Sequence, residues 1–402
     1  MGIARNYAKC TVCECKFILR VGVGIEDSCT HTFDCPQCHT PLSVDLKTGE
    51  PGMAWVVSRE NTEIIPRDDG IDLFINLHPA FAFSQEEYRS QFVFTSMKHM
   101  KLVEGKIRAP EGQHIDYVTQ FEIPYTQQVW AIVRSVLALA MKGDPGNILN
   151  KQIGSYEASR KRYSPTFNCS TAFKCVASFF DDSFYPLIGN LRAPLRSFVR
   201  AERMAHASEL ERFIAYYRSE IQAQAIERYI STLTDYFRLF DQLRQVLTHV
   251  RVGSDDVDDL IVGSKRFDEI KLYYGQAYET LTASYTTLAC LNNIAAGRPF
   301  DQFKSMSLTK FISDVDKAKR SNPFAEVPVL HAFTEFDNSA LRNGSHHASI
   351  WRDGDLIKFR SGGTGAEKEI SYSRYMHVCN GITISIAALL LVELEMFSTI
   401  SL

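Results

Sequence analysis

The sequence predicts a multidomain, mainly α-helical fold with two small β-containing regions near the N-terminus. Six of the ten cysteines fall within the first 38 residues, short runs with β character follow them, and most of the chain beyond residue 150 carries apolar residues at helical spacing. We expect four parts: a cysteine-rich ribbon (1–50), a small β-containing module (51–125), a basic helical connector (126–204) and a C-terminal helical bundle with a short β-hairpin (205–402).

The composition is that of an ordinary globular protein. The chain has 402 residues, a net charge of −3 and 45% hydrophobic residues, so any basic surface must be local. The first residues lack the apolar run of a signal peptide. The most apolar run, 382–394, is too short to span a bilayer. We therefore expect a cytoplasmic protein with no membrane partner.

The N-terminal cysteines have the spacing of a metal site. Two CxxC pairs, Cys10/Cys13 and Cys35/Cys38, are separated by 21 residues, and four thiolates suit tetrahedral Zn²⁺. A catalytic zinc usually has histidine or carboxylate ligands and an open position, so four cysteines favour a structural ion that stabilises a small ribbon. The ligand set has alternatives: Cys15 could replace Cys13, and Cys29 or His31 also lies nearby in the sequence.

The remaining elements follow from periodicity and turn residues. Strand-like runs at 53–57, 71–77, 91–94 and 115–123 are separated by turn signals. A helix is predicted over 127–141, one long helix or a pair over 207–250, and another helix over 265–296. Asp353-Gly354 predicts a hairpin over 350–359, and Ser371 begins a last helix that runs to about residue 396.

Residues 151–203 form the most basic part of the chain, with nine Lys or Arg against four acids and interleaved aromatic residues. Such a mixture could hold phosphates and stack bases of RNA. Arginines four residues apart would share one helix face. The alternative is a solvated helix face with core aromatics. The candidate RNA-binding residues are Arg160, Lys161, Arg162, Arg192, Arg196 and Arg200.

The hexapeptide from Arg342 to His347, Arg-Asn-Gly-Ser-His-His, is the strongest candidate for catalysis. Arginine binds phosphate as a planar cation, and histidine exchanges protons near neutral pH. A histidine could deprotonate a ribose 2′-hydroxyl while Arg342 stabilises the charge that develops on the phosphate, so the site needs no metal or other cofactor. The simpler alternative is a helix that ends at Asn343-Gly344, with Gly344 in the left-handed conformation.

The surroundings of this hexapeptide resemble the HEPN family (higher eukaryotes and prokaryotes nucleotide-binding domains). The signature of that family is an arginine, often followed by asparagine, a few residues before a histidine. The segment 350–359 is similar to the short extended segment that often follows the signature. The resemblance covers roughly 205–402 and is sharpest over 330–395. It departs from the family at Gly344, which predicts a helix break inside the motif, and at the adjacent histidines.

The resemblance implies an endoribonuclease with an HEPN-like helical bundle. Arg342 and His347 would be catalytic and Asn343 would orient them, with His346 open as the alternative histidine. Dimerisation would supply the second proton donor in a composite site, so RNA and a homodimer or higher homo-oligomer are the expected partners. Expected products are a 2′,3′-cyclic phosphate and a 5′-hydroxyl.

Similar architectures serve in phage defence, abortive infection or as toxins, where the extra domain meets a regulatory or sensor partner. Two other functions stay open. One is a non-catalytic scaffold that uses the zinc ribbon and basic residues to bind RNA or protein. The other is a partner of a nucleotidyl-transfer enzyme, although this chain carries no transferase motif of its own.

Overall fold

The structure is a computed structural model that describes residues 2–49, 53–104, 123–142, 146–263, 265–346, 349–360 and 365–398. It is mainly helical, with small β-sheets and a four-cysteine cluster at the N-terminus. The predicted strand at 115–123 lies outside the described residues except for Ile123, and His347 also lies outside them. The predicted strand at 91–94 is wrong, because these residues are irregular and lead directly into a helix.

Two sheets form the N-terminal region. The first has the strand order β6-β1-β2-β7, in which β7 pairs parallel to β2 and the other pairs are antiparallel. The second has the order β3-β4-β5 and is antiparallel throughout. The strands are β1 (Ile3–Cys10), β2 (Lys16–Gly22), β3 (Ser28–Asp34), β4 (Pro41–Thr48), β5 (Ala54–Ser58), β6 (Thr62–Ile65) and β7 (Phe74–Leu77).

The strands on either side of residue 50 belong to the same two sheets. Strand β5 pairs with β4, and β6 pairs with β1. Their inward residues share one apolar cluster with the buried cysteines Cys10 and Cys35. The expected boundary between a ribbon (1–50) and a separate β module therefore does not coincide with a break in hydrogen bonding. Residues beyond 50 complete the sheets that carry the cysteines.

A short pair of strands joins this region to the helices. Strand β8 (Phe83–Ser84) pairs with β9 (Leu260–Ile261), far along the chain. Two small helices follow β8. They are α1 (Gln85–Arg89) and α2 (Thr95–Val103).

The helices beyond residue 123 share one large apolar core. The predicted helix at 127–141 is observed almost as expected, whereas the 207–250 pattern is several consecutive helices with a π-helical turn at Tyr217–Ile221. Because α3 to α6 pack into the same core as the later helices, the expected connector is part of the bundle. These helices are α3 (Thr126–Met141), α4 (Gly146–Lys161), α5 (Ala172–Phe184), α6 (Leu187–Ala205), α7 (Ala207–Tyr216), α8 (Gln222–Arg238), α9 (Phe240–Leu243) and α10 (Leu247–Arg251).

Two long helices form the centre of the bundle. Helix α11 (Phe267–Ala295) packs against α15 (Tyr372–Met396). The side chain of Ser371 accepts from the backbone N–H of Arg374 and caps α15, as the sequence predicted. Helix α15 is long and apolar enough to cross a membrane, but 94% of its most apolar window is buried inside the fold, where a core helix has the same composition.

Along the sequence, the region around the hexapeptide lies between these two long helices. The elements after α11 are α12 (Leu308–Asp314), a 3₁₀ turn (Lys317–Lys319), α13 (Pro328–His331) and α14 (Ser339–His346). A three-stranded sheet follows, formed by β10 (Ile350–Asp353), β11 (Leu356–Arg360) and β12 (Glu367–Ser371). The predicted hairpin is confirmed, with Gly354 in the left-handed region at φ 62°. Strand β12 adds a third strand that the sequence did not indicate.

Candidate active site and metal centre

The two CxxC pairs lie at the tips of two hairpins with the same local geometry. The first joins β1 to β2, and the second joins β3 to β4. In each, the residue after the second cysteine is left-handed: φ is 58° at Glu14 and 59° at His39. The Glu14 N–H donates to the Cys10 carbonyl at 3.0 Å, and the His39 N–H donates to the Cys35 carbonyl at 3.1 Å. Both turns therefore direct their two sulfurs to the same side.

The four sulfurs converge on one point. Their Sγ atoms all lie within 4.8 Å of one another, with Cys10 to Cys38 at 3.8 Å and Cys13 to Cys35 at 3.6 Å. Sulfurs at 2.3 Å from a tetrahedral zinc are separated by roughly 3.8 Å. Hydrogen bonds with Thr40 lower the pKa of the Cys38 thiol to about 6, whereas burial raises the pKa of the Cys35 thiol. The cluster is compatible with a structural zinc ion.

The other ligands considered from the sequence lie elsewhere. Among the described residues, Cys15 is not part of the four-sulfur group. The Cys29 sulfur accepts from the buried Arg244 guanidinium at 3.6 Å. His31 is fully buried, and burial together with Arg244 lowers its pKa to about 4. The expected set of Cys10, Cys13, Cys35 and Cys38 is therefore the one that the fold brings together.

Helix α14 continues through the hexapeptide instead of ending within it. The Asn338 side chain accepts from the N–H groups of Ala340 and Leu341 at 3.1 and 3.2 Å and begins the helix. The helix runs to His346, and Gly344 is not left-handed. A Cβ at Gly344 would lie 3.1 Å from Cβ of Ile350. Both the predicted helix stop and the predicted break are therefore wrong. The absence of a side chain at Gly344 instead allows β10 to pack closely against the helix.

Arg342 is held by a carboxylate on α11. Its Nε donates to Oε1 of Glu279 at 2.8 Å, and its Nη2 donates to the same oxygen. Its Nη1 donates to the side-chain carbonyl of Asn343 at 3.0 Å. The side chain of Arg342 is 27% exposed and that of Glu279 is 24% exposed. The guanidinium is therefore fixed in orientation at the surface of the bundle, and the orienting role of Asn343 in catalysis stays a prediction.

Further cations surround this ion pair. Lys317 contacts the other carboxylate oxygen of Glu279. Burial and the nearby charges of Arg342, Arg320 and Arg228 lower the pKa of Lys317. Arg320 is nearly buried and donates to the carbonyl of Ile312 at 2.7 Å. Four cations thus act near two carboxylates, Glu279 and Asp316, and this excess of positive charge favours an additional anion.

The histidines of the motif have no described side-chain geometry. His346 is the last residue of α14, and its side chain lies outside the described residues, as does all of His347. The expected pairing of a histidine with Arg342 therefore stays a prediction.

The three arginines expected to share one helix face do lie on one helix, α6, but they converge on a carboxylate. Arg192, Arg196 and Arg200 contact Glu395 of α15 at 3.1, 3.3 and 3.7 Å. Exposure of their side chains rises along the helix, from 16% at Arg192 to 60% at Arg200. The three arginines therefore join α6 to α15, and Arg200 is the most accessible of them.

The basic residues at the end of α4 differ in environment. Arg160 is nearly buried and forms a bidentate pair with Asp182 through two contacts of 2.7 Å. Lys161 pairs with Glu157 on the same helix at 2.5 Å and is half exposed. Arg162 is exposed. Arg160 is thus occupied within the fold, whereas Lys161 and Arg162 face solvent.

Sequence patterns did not identify Glu279 or Lys317. Glu279 lies in the predicted α11 pattern, where it looks like an ordinary polar position, and it is 63 residues from Arg342 in the chain. Lys317 lies in a short turn after α12. Only tertiary packing brings these residues to Arg342.

Comparisons with protein-family models, with curated proteins and with solved structures found no match to this chain.

Proposed function

We propose that this chain is a metal-independent endoribonuclease of the HEPN type, with Arg342 and His347 as its catalytic residues. The observation that carries the proposal is the arrangement around Arg342. Its guanidinium is partly exposed, fixed by Glu279 and Asn343, and accompanied by Lys317, Arg320 and Arg228. Fixed cations of this kind stabilise the charge of a phosphoryl transition state.

In the proposed reaction His347 removes the proton from a ribose 2′-hydroxyl, and the oxygen attacks the adjacent phosphorus. Arg342 stabilises the charge on the phosphate oxygens while the bond to the 5′-oxygen breaks. The leaving oxygen needs a proton donor, which a second copy of the chain would supply in a composite dimeric site. The products are a 2′,3′-cyclic phosphate and a 5′-hydroxyl. His346 is the alternative base, because it directly precedes His347.

We further propose that the four-cysteine cluster holds one structural Zn²⁺ ion, and that the protein acts in the cytoplasm as a phage-defence or toxin effector under a regulatory partner. The basic residues Arg200, Lys161 and Arg162 would help to hold RNA, since they are the more exposed members of the predicted set.

A second candidate function is a non-catalytic scaffold that binds RNA or protein. The observation in its favour is that Arg342 is already paired with Glu279, an arrangement that would also serve only to join α14 to α11.

Cleavage of single-stranded and structured RNA separates the two functions. Short assays in EDTA, with circular dichroism to verify that the protein stays folded, should show cleavage by the wild type. Arg342→Ala and His347→Ala should each lower the rate by about 100-fold or more. The matched control is Arg212→Ala, which removes an arginine from the Arg212–Glu209 pair on α7 and should leave the rate unchanged. Cleavage that survives both test substitutions would reject the nuclease and favour the scaffold.

A further inference from the structure

A cavity of about 530 Å³ lies between the first turns of α11 and strand β10. Strand β10 is an edge strand of its sheet, so the cavity lies against the open edge. The residues on the α11 side that matter here are Arg266 and Lys271, and on the β10 side Trp351 and Arg352. Its volume is within the range of sites for small organic groups.

The lining of this cavity combines four cations with two carboxylates and aromatic rings: Lys265, Arg266, Lys271, Arg352, Asp268, Glu269, Phe267 and Trp351. Arg266 is 42% exposed, and its closest acidic contact is Glu269 at 3.8 Å. The Nη2 of Arg352 donates to Asp34 at 3.0 Å, whereas its Nη1 is buried and has no hydrogen-bond partner among the described residues. Lys271 pairs with Asp268, a side chain that is 88% exposed. Among these cations, Arg266 is only loosely paired and the Nη1 of Arg352 is not satisfied, so both have donors to offer a ligand.

Trp351 provides the stacking surface. It is 37% exposed, which is high for so large an apolar side chain, and the Arg360 guanidinium lies 5.9 Å from its ring centroid. A tryptophan beside cations suits a nucleobase and its phosphate, because bases stack on aromatic rings while arginines bind the backbone.

The cavity and Arg342 are connected through α11. Asp268, in the first turn, and Glu279, which holds Arg342, are eleven residues apart, so they lie on nearly the same helix face and about 16 Å apart along the axis. That separation is within the reach of a few nucleotides of single-stranded RNA. The other wall of the cavity is also close to the hexapeptide, since β10 packs directly on Gly344.

We propose that this cavity is a nucleotide subsite that stacks one base of single-stranded RNA on Trp351 and binds the adjoining phosphate with Arg352, Arg266 and Lys271. The proposal rests on the nuclease function above. It adds a second point at which the RNA is bound, a few nucleotides from the cleaved bond. It favours an unpaired RNA segment, because a base in a duplex cannot reach the ring.

Equilibrium binding tests the subsite without relying on cleavage. The full-length chain with His347→Ala is titrated into a short fluorescein-labelled single-stranded RNA and followed by fluorescence anisotropy. Adding Trp351→Ala should weaken binding on the order of 10-fold, and Trp351→Phe should restore most of the affinity. Arg266→Glu, a surface change that should not disturb folding, should weaken binding and flatten its salt dependence. The matched control is Trp55→Ala, another exposed tryptophan, on β5, which should bind like the parent.

The outcomes distinguish the two proposals. Unchanged affinity in both Trp351→Ala and Arg266→Glu overturns the subsite, even where Arg342→Ala still abolishes cleavage. Weaker RNA binding in these variants supports the subsite, even where the wild type cleaves no RNA and the nuclease proposal fails. An acidic peptide that competes as well as the RNA, or an RNA stripped of its bases that binds equally well, would show a general anion site and overturn the stacking role of Trp351.

Discussion

Glu279 determines how the guanidinium of Arg342 is oriented at the surface. A lone arginine on a surface helix samples many rotamers, and the entropy lost on binding then weakens each contact. Here one carboxylate oxygen accepts from two guanidinium nitrogens, and Asn343 accepts from the third. The proposed catalytic cation is therefore oriented in the absence of substrate, and in the proposed reaction Glu279 would be a positioning residue.

Replacing Glu279 with Gln should lower the turnover of RNA cleavage by about 10- to 100-fold, because the misplaced guanidinium no longer meets the transition state. The effect should appear in kcat more than in KM. The measurement is steady-state cleavage together with the melting temperature. Glu209→Gln is the matched control, since Glu209 pairs with Arg212 at a similar exposure of 22%, and it should retain full turnover. Equal kcat in the two variants would contradict the positioning role.

Among the elements, close packing of Phe336 against α15 holds in place the segment that precedes α14. Gly381 lies in the middle of α15, and a Cβ there would lie 2.3 Å from ring atoms of Phe336. Because Phe336 is buried, its ring cannot move aside freely. The missing side chain thus allows the chain to cross the long helix closely just before the capping residue Asn338.

Gly381→Ala should therefore destabilise the protein by about 1–3 kcal/mol, since overpacking outweighs the better helix propensity of alanine. Urea unfolding measures the change. Gly154→Ala on α4 is the control, because a Cβ there meets nothing within 4 Å, and it should be neutral or stabilising by up to about 1 kcal/mol. A Gly381→Ala variant as stable as the Gly154→Ala variant would show that Phe336 can repack.

The elements that could be predicted from the sequence are those with a local signal. The CxxC turns, α11, the hairpin at Gly354 and the Ser371 cap all depend on residues within a few positions of one another. The pairings of β6 with β1 and of α6 with α15 connect distant segments. For example, Glu395 joins arginines about 200 residues earlier in the chain. Periodicity placed Arg192, Arg196 and Arg200 on one face but could not reveal the carboxylate opposite them.

For the whole molecule, the metal centre should stabilise the N-terminal sheets, because one ion would cross-link a turn of the first sheet to a turn of the second. Cys35→Ser should reduce bound zinc from about one ion per chain to nearly none and lower the melting temperature. Elemental analysis of the purified protein measures the zinc. Cys15→Ser is the control and should keep the metal, since Cys15 lies outside the cluster. Loss of zinc from the Cys15 variant would mean that the ligand set differs from the one described.

Stability should also fall in acid, because two buried histidines at the junction between the sheets and the helices stay neutral in the fold. Burial and Arg244 lower the pKa of His31 to about 4, and burial with neighbouring His31 and His99 holds the pKa of His78 well below its ordinary value. The unfolded chain binds these protons near pH 6.5. The contribution of neutral His31 to the free energy of unfolding is therefore fully present above about pH 6.5 and is lost as the pH falls towards 4.

Between pH 7 and pH 5 His31 alone should account for about 2 kcal/mol of lost stability. Urea unfolding at several pH values measures the slope. His31→Gln should have a shallower slope over this interval, whatever its absolute stability, while His331→Gln at an exposed position should keep the wild-type slope. Parallel profiles for wild type and His31→Gln would show that other groups control the acid sensitivity.

Asp34 connects two sites that are far apart in the chain. It directly precedes Cys35, and its carboxylate contacts Lys265 at 2.8 Å and Arg352 at 3.0 Å, one on each wall of the proposed RNA subsite. Two ligands whose binding orders the same group are thermodynamically coupled, and the coupling is reciprocal. If metal binding orders Asp34 and thereby the subsite, then RNA in the subsite must tighten the hold on the metal by the same factor. The coupling would be visible as slower zinc loss to a chelator when RNA is present.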